Sequence, residues 1–97
     1  MKKAVVLHRL SLVKTRLEKF GVSSLGLFGS TVRDENTPNS DIDILIDFAD
    51  GQETYMNYLS VCELLQQTFR QNKLDVITKK GLSPYIGQTI LKEAQYV

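Results

Sequence analysis

The sequence is short of three things, and each shortage removes a class of protein. Cysteine occurs once, at Cys62. One thiol allows no internal disulfide, so a scaffold stapled by disulfides is excluded and a reducing compartment fits. Charge of one sign is also missing: 12 Lys and Arg stand against 11 Asp and Glu, a net +1. So balanced a chain exerts no global pull on nucleic acid or on an anionic membrane. Long apolar runs are absent too, and a spanning helix needs about 20 apolar residues. The start, Met1 to Leu7, briefly imitates a signal peptide. His8 and Arg9 break its apolar core, and no small-residue cleavage site follows. The expected location is cytoplasmic, with no membrane and no direct nucleic-acid partner.

What is present is an ordinary folded composition, 42% hydrophobic and 24% charged, too apolar for disorder. The 97 residues suit one small domain, 1–97. Val6, Leu10, Val13, Leu17 and Phe20 recur at helical spacing and predict a helix over residues 3–20, ended at Gly21. Its basic residues read as a solvated face, and a docking face for an acidic partner is the sharper alternative. Val22 to Phe28 is a strand, after which Ser30 is expected to cap a short helix to about Glu35. The Asn36–Ser40 stretch is loop chemistry around Pro38.

Asp41 to Phe48 is the second strand. Thr54 then caps a helix to about Gln71, with an apolar stripe through Tyr55, Tyr58, Leu59, Cys62, Leu65 and Phe69. Tyr55 and Tyr58 read as packing residues, or as a stack for a base. Lys73 to Thr78 is a third strand, and Ser83 with Pro84 opens a last helix striped by Ile86, Ile90, Leu91 and Ala94. The fold class is therefore α/β: a small mixed sheet of about three strands flanked by helices.

Two segments carry chemistry. Gly29-Ser30 ends one apolar strand, and Asp41-Ile42-Asp43 opens the next after a ten-residue spacer. Side chains alternate along a strand, so Asp41 and Asp43 share one face and Ile42, Ile44 and Ile46 the other. The two acids sit about 6–7 Å apart at Cα. Hard oxygen ligands of this kind suit Mg²⁺, which one or two carboxylates hold together with substrate phosphates.

Gly29-Ser30, the spacer with Arg33 and Glu35, Ser40 and Asp41-x-Asp43 together resemble the minimal nucleotidyltransferase domain. That family belongs to the DNA polymerase beta-like nucleotidyltransferase superfamily, and the likeness covers nearly the whole chain. The spacer carries Asp34 and Asn36 where relatives often have small residues, so its loop can differ in shape. Such a site needs a phosphate cradle, for which Gly29 permits close backbone approach and Ser30 adds a hydroxyl. It also needs carboxylates that fix two Mg²⁺ ions. Asp41 and Asp43 supply the pair.

Asp47, Asp50 and Asp75 are candidates for a third acid. Asp47 shares the parity of Asp43 but lies about 13 Å along the strand, too far to share an ion. Asp75, on a neighbouring strand, would lie within about 5 Å laterally, and the resemblance also places the third acid there. Arg33 is a candidate nucleotide-binding residue by resemblance, or half of a local ion pair with Glu35. His8, the one histidine, reads as a surface or packing residue.

No residues remain for an acceptor domain, so another polypeptide is expected to present the acceptor. The resemblance implies a helical HEPN protein, a ribonuclease toxin. The minimal nucleotidyltransferase would be its antitoxin, moving AMP from ATP onto a toxin tyrosine within a hetero-oligomer. Two alternatives stand beside this: an antitoxin that blocks by contact alone, and a small-molecule, antibiotic-type nucleotidyltransferase.

Overall fold

A computed structural model describes residues 1–97. The first helix, α1, runs Lys3–Glu18 and buries the expected stripe Val6, Leu10, Val13 and Leu17. Gly21 follows in the left-handed region, with φ +88°. Strand β1 is Val22–Phe28 and strand β2 is Ile42–Phe48. Helix α2, Tyr55–Thr68, starts at Thr54, whose side chain accepts from the Asn57 N–H. Strand β3 is Leu74–Thr78. Helix α3, Pro84–Glu93, starts at Ser83, whose side chain accepts from the Ile86 N–H. Both expected caps satisfy an orphan donor of their helix.

The sheet has four strands rather than about three, in the order β3-β2-β1-β4. The extra strand, β4, is Gln95–Tyr96, antiparallel to Gly26 and Leu27 of β1. Two residues are too few to show a period of two, so nothing in the sequence announced it. β1 and β2 run antiparallel, whereas β2 and β3 run parallel. A parallel pair needs a long crossover, and α2 is that crossover.

The alternation of β2 divides the molecule. Ile42, Ile44, Ile46 and Phe48 pack with α1 and α2 in the main core. On the other face Leu45 joins Phe28 and Ile90 of α3 in a second, smaller cluster. The acids of β2 therefore share a face with Leu45 and α3, away from the main core. The largest covered residues, Phe48 and Phe69, anchor the α2 side.

Three sequence expectations need correction. Ser30 does not cap a helix: Gly29–Thr31 is a single 3-10 turn, and Ser30 lies inside it. The buried face of α2 is Val61, Leu64 and Leu65, whereas Tyr55 is 75% exposed. The apolar residues of α2 outnumber those one stripe can hold, so spacing alone allowed two faces. On α3, Ile90 is buried as expected, but Ile86 and Leu91 are exposed. No helix is long and apolar enough to cross a membrane.

Candidate active site

The end of β2 gathers the residues that the sequence singled out. Phe28 pairs with Asp43 across the antiparallel ladder, and Asp43 pairs with Asp75 across the parallel one. Register partners in neighbouring strands point to the same face, about 4.8 Å apart between strands. Asp43 is thus flanked by Asp75 on one side and by the turn after Phe28 on the other. Asp41 precedes the first residue of β2, one step outside the strand.

Gly29 begins the turn with φ +78° and is buried. A side chain there would collide with the Asp43 carboxylate, lying 2.9 Å from its Cγ. Glycine thus meets two demands at one position, a left-handed backbone and close approach to an acid. Ser30, half-buried, follows on the same turn.

The acids repel one another. The Asp43 carboxyl is half-buried, and burial pushes its pKa up to about 6 from an ordinary 3.8, with Asp75 and Asp41 adding to the rise. Burial and like charge both disfavour the ionised form. An acid whose pKa is raised by folding binds its proton more tightly when folded. Its cost to stability is therefore absent below the unfolded value of 3.8 and grows as pH rises through about 6. In metal-free buffer at pH 7, Asp43→Asn should be the more stable protein. The shift corresponds to ~1 kcal/mol once solvent screening of a half-exposed group is allowed for, or a few degrees in melting temperature. Melts of both proteins at pH 4 and pH 7 check this; the gap should open only at pH 7.

The hard-oxygen donor set fits a divalent cation in kind. Its side chains do not yet converge: no group of three His, Cys, Asp or Glu side chains is placed to hold a metal ion.

Arg33 is engaged rather than free. Its Nε donates to Glu35 at 3.1 Å, so the local pair forms. Its Nη1 donates to both carboxylate oxygens of Glu93, at 3.0 and 2.8 Å. Glu93 foremost, then Glu35, raises the pKa of the guanidinium. A nucleotide phosphate would have to compete with two carboxylates for this side chain.

Glu93 also accepts from the Gly29 N–H, at 2.8 Å. The sequence reading assigned Glu93 no role. Its only signal was a lone acid in the last turn of a helix, where the dipole disfavours negative charge.

The other candidates lie elsewhere. Asp47 caps the Phe48 N–H at 3.0 Å with Lys80 4.0 Å away, and Asp50 is exposed in the turn before α2. Tyr58 is half-buried and its hydroxyl donates to the Val76 carbonyl at 3.1 Å, which makes it a packing residue. The Cys62 thiol is raised by burial, as suits an unreactive side chain. His8 is exposed on α1.

Comparison with known proteins bears on this geometry. The family described as nucleotidyltransferase domain matches residues 10–97. The protein adenylyltransferase MntA of Thermococcus cleftensis is 36% identical over 80 residues, covering 82% of this chain and 79% of that protein. A candidate protein adenylyltransferase of Methanocaldococcus jannaschii is 38% identical over 82 residues, covering 82% and 81%. A solved structure of a candidate minimal nucleotidyltransferase superposes with a TM-score of 0.83 at 25% identity, covering 98% of this chain and 95% of the other. A toxin–antitoxin crystal structure with AMP-PNP shares the fold at a TM-score of 0.69 and 20% identity, covering 93% and 72%.

Proposed function

Since the chain belongs to the nucleotidyltransferase domain family, and is a nucleotidyltransferase, we propose that it transfers AMP from ATP to a tyrosine of a helical HEPN-type toxin. In this reading it is the antitoxin of the pair. The relatives named as protein adenylyltransferases support a protein acceptor. The toxin–antitoxin structure with AMP-PNP supports a toxin partner and an adenine nucleotide.

The observation that carries the reading is the register at the end of β2. Asp43 stands between Asp75 and the Gly29 turn, so the acids and the Gly29–Ser30 turn meet on one face. Backbone N–H groups of the turn and the Ser30 hydroxyl would receive the triphosphate. Asp41, Asp43 and Asp75 would hold two Mg²⁺ ions. Bound there, the ions would supply charge neutralisation at the phosphates and would acidify an attacking hydroxyl. Asp75 is exposed on the edge strand β3, where it would be within reach of an acceptor and would accept or steer its proton. Tyr85, 92% exposed, and Ile86, 64% exposed, leave apolar surface on α3 for a partner.

The test is calorimetry with ATP followed by mass spectrometry of the co-purified partner. ATP should bind with Mg²⁺ and hardly at all with EDTA, because clustered carboxylates repel a triphosphate. The partner should then gain the mass of one or more AMP groups on tyrosine. Equal ATP affinity in both buffers, or an unmodified partner, would sink the reading.

A further inference from the structure

Glu93 closes α3 and is 60 residues or more from everything its carboxylate holds. We propose that Glu93 is a positioning residue for nucleotide transfer: it holds the Gly29–Ser30 turn in the geometry that receives the triphosphate. This deepens the transferase reading above and rests on it.

Three observations support the assignment. The first is that one carboxylate grips both ends of the turn. Oε1 accepts from the Gly29 N–H where the turn begins, and both oxygens accept from Arg33 just beyond it. An anion merely resting at one donor would not span the turn in this way.

The second is that the turn's own bonds leave its first N–H to an outside partner. It is three residues of 3-10 helix, Gly29–Thr31, and its local bonds run from Val32 and Arg33 to the Gly29 carbonyl at 3.1 and 3.3 Å, from Asp34 to the Thr31 carbonyl at 3.3 Å and from Glu35 to the Ser30 carbonyl at 2.9 Å. Such turns have poorer hydrogen-bond geometry than an α-helix. The Gly29 N–H, where the turn begins, is bonded instead to Glu93, a clasp from outside the turn.

The third is that Glu93 is itself fixed. Its side chain is only 19% exposed. The Ala94 N–H continues the helix to the Ile90 carbonyl at 2.9 Å, and β4 pairs with β1 directly afterwards. The backbone at Glu93 is thus tied on one side to α3 and on the other to the sheet edge formed by β1 and β4. A group used to fix others must be locked by its own neighbours.

The clasp leaves Arg33 neutralised. Arg33 then acts on the turn's shape rather than as a free cation toward phosphate. Two opposite outcomes follow for removal of Glu93. If Glu93 positions the turn, transfer falls. If it only occupies an anion's place, its removal frees Arg33, deletes a repelling charge and tightens ATP binding without loss of rate.

The experiment compares wild type with Glu93→Ala and Glu93→Gln, each co-expressed with its partner, in transfer kinetics and in ¹H–¹⁵N spectra. Glutamine keeps an oxygen for the Gly29 N–H but loses the ion pair; alanine loses both. In Glu93→Ala the Gly29 amide should shift and lose exchange protection, and kcat should fall by about 10- to 100-fold, as for a misplaced reacting group. KM for ATP should change less than kcat, and Glu93→Gln should recover part of the rate.

A purely structural role would lower the melting temperature and leave kcat per folded molecule unchanged, which overturns the proposal. So would an unmoved Gly29 amide, or tighter ATP binding at full rate. If wild type itself transfers no AMP, the transferase reading fails separately. The clasp is then judged by Mg–ATP titration of the Ser30 amide. A response lost in Glu93→Ala upholds the positioning of the turn, and an identical response in both proteins refutes it.

Discussion

Replacing Asp41 and Asp43 together by Asn should leave a folded protein that still binds its partner and transfers no AMP. The volumes hardly change, and two mutually repelling carboxylates disappear. Burial, with Asp75 and Asp41, pushes the Asp43 pKa up to about 6, so folding disfavours its charged form and a neutral isostere suits the fold. Metal affinity should collapse, because amides replace the charged oxygens that hold Mg²⁺. The loss removes several kcal/mol of transition-state stabilisation. At 1.36 kcal/mol per decade, that means about a thousandfold or more in rate.

The single variants sharpen the test. Asp75 is the register partner of Asp43, and Asp75→Asn should lose most transfer activity. Asp47 caps the Phe48 N–H instead, and Asp47→Asn should transfer at close to the wild-type rate. The readouts are transfer to the partner, a pull-down and circular dichroism, with growth of cells under toxin induction. A double variant that rescues growth as fully as wild type, at equal expression, would mean neutralisation by contact.

The site was legible in the sequence where local pattern carried it. Alternation put Asp43 on the face opposite Ile42, Ile44 and Ile46, and the structure sends those isoleucines into the main core. Thr54 and Ser83 were readable as caps because capping is chemistry between residues three apart. Distance along the strand set Asp47 aside, and a neighbouring strand, together with the family resemblance, marked Asp75. Other features were not local. Glu93 reaches Gly29 across 64 residues of chain, and no spacing rule reports such a pair. β4 is two residues long and exists because β1 offers an open edge to the end of α3. Ser30 has the chemistry of a cap, but the chain makes only a 3-10 turn there and no helix follows for it to cap.

Gly29→Ala should be strongly disruptive for a single added methyl, and a second glycine separates its two causes. Gly29 and Gly51 have nearly the same φ, +78° and +77°. At Gly51 an added Cβ meets nothing within 4 Å. Gly51→Ala therefore isolates the left-handed backbone cost for an L-residue, about 1–2 kcal/mol. Gly29→Ala carries that cost and also drives a methyl into Asp43, 2.9 Å from Cγ and 3.2 Å from Cβ. Overpacking of this kind adds about 1–3 kcal/mol. A total of ~2–5 kcal/mol is a large share of a small domain's stability. The carboxylate must also swing away from the turn, so transfer should fall even in the molecules that stay folded. Truncating the obstacle should return part of the stability: Gly29→Ala with Asp43→Ala should melt higher than Gly29→Ala alone, though it transfers nothing. Residues in contact are expected to be non-additive in this sense. Urea unfolding of the four proteins, with wild type, measures each step. If Gly29→Ala proves no less stable than Gly51→Ala, the turn yields freely and the close seating of Gly29 on Asp43 is not what shapes the site.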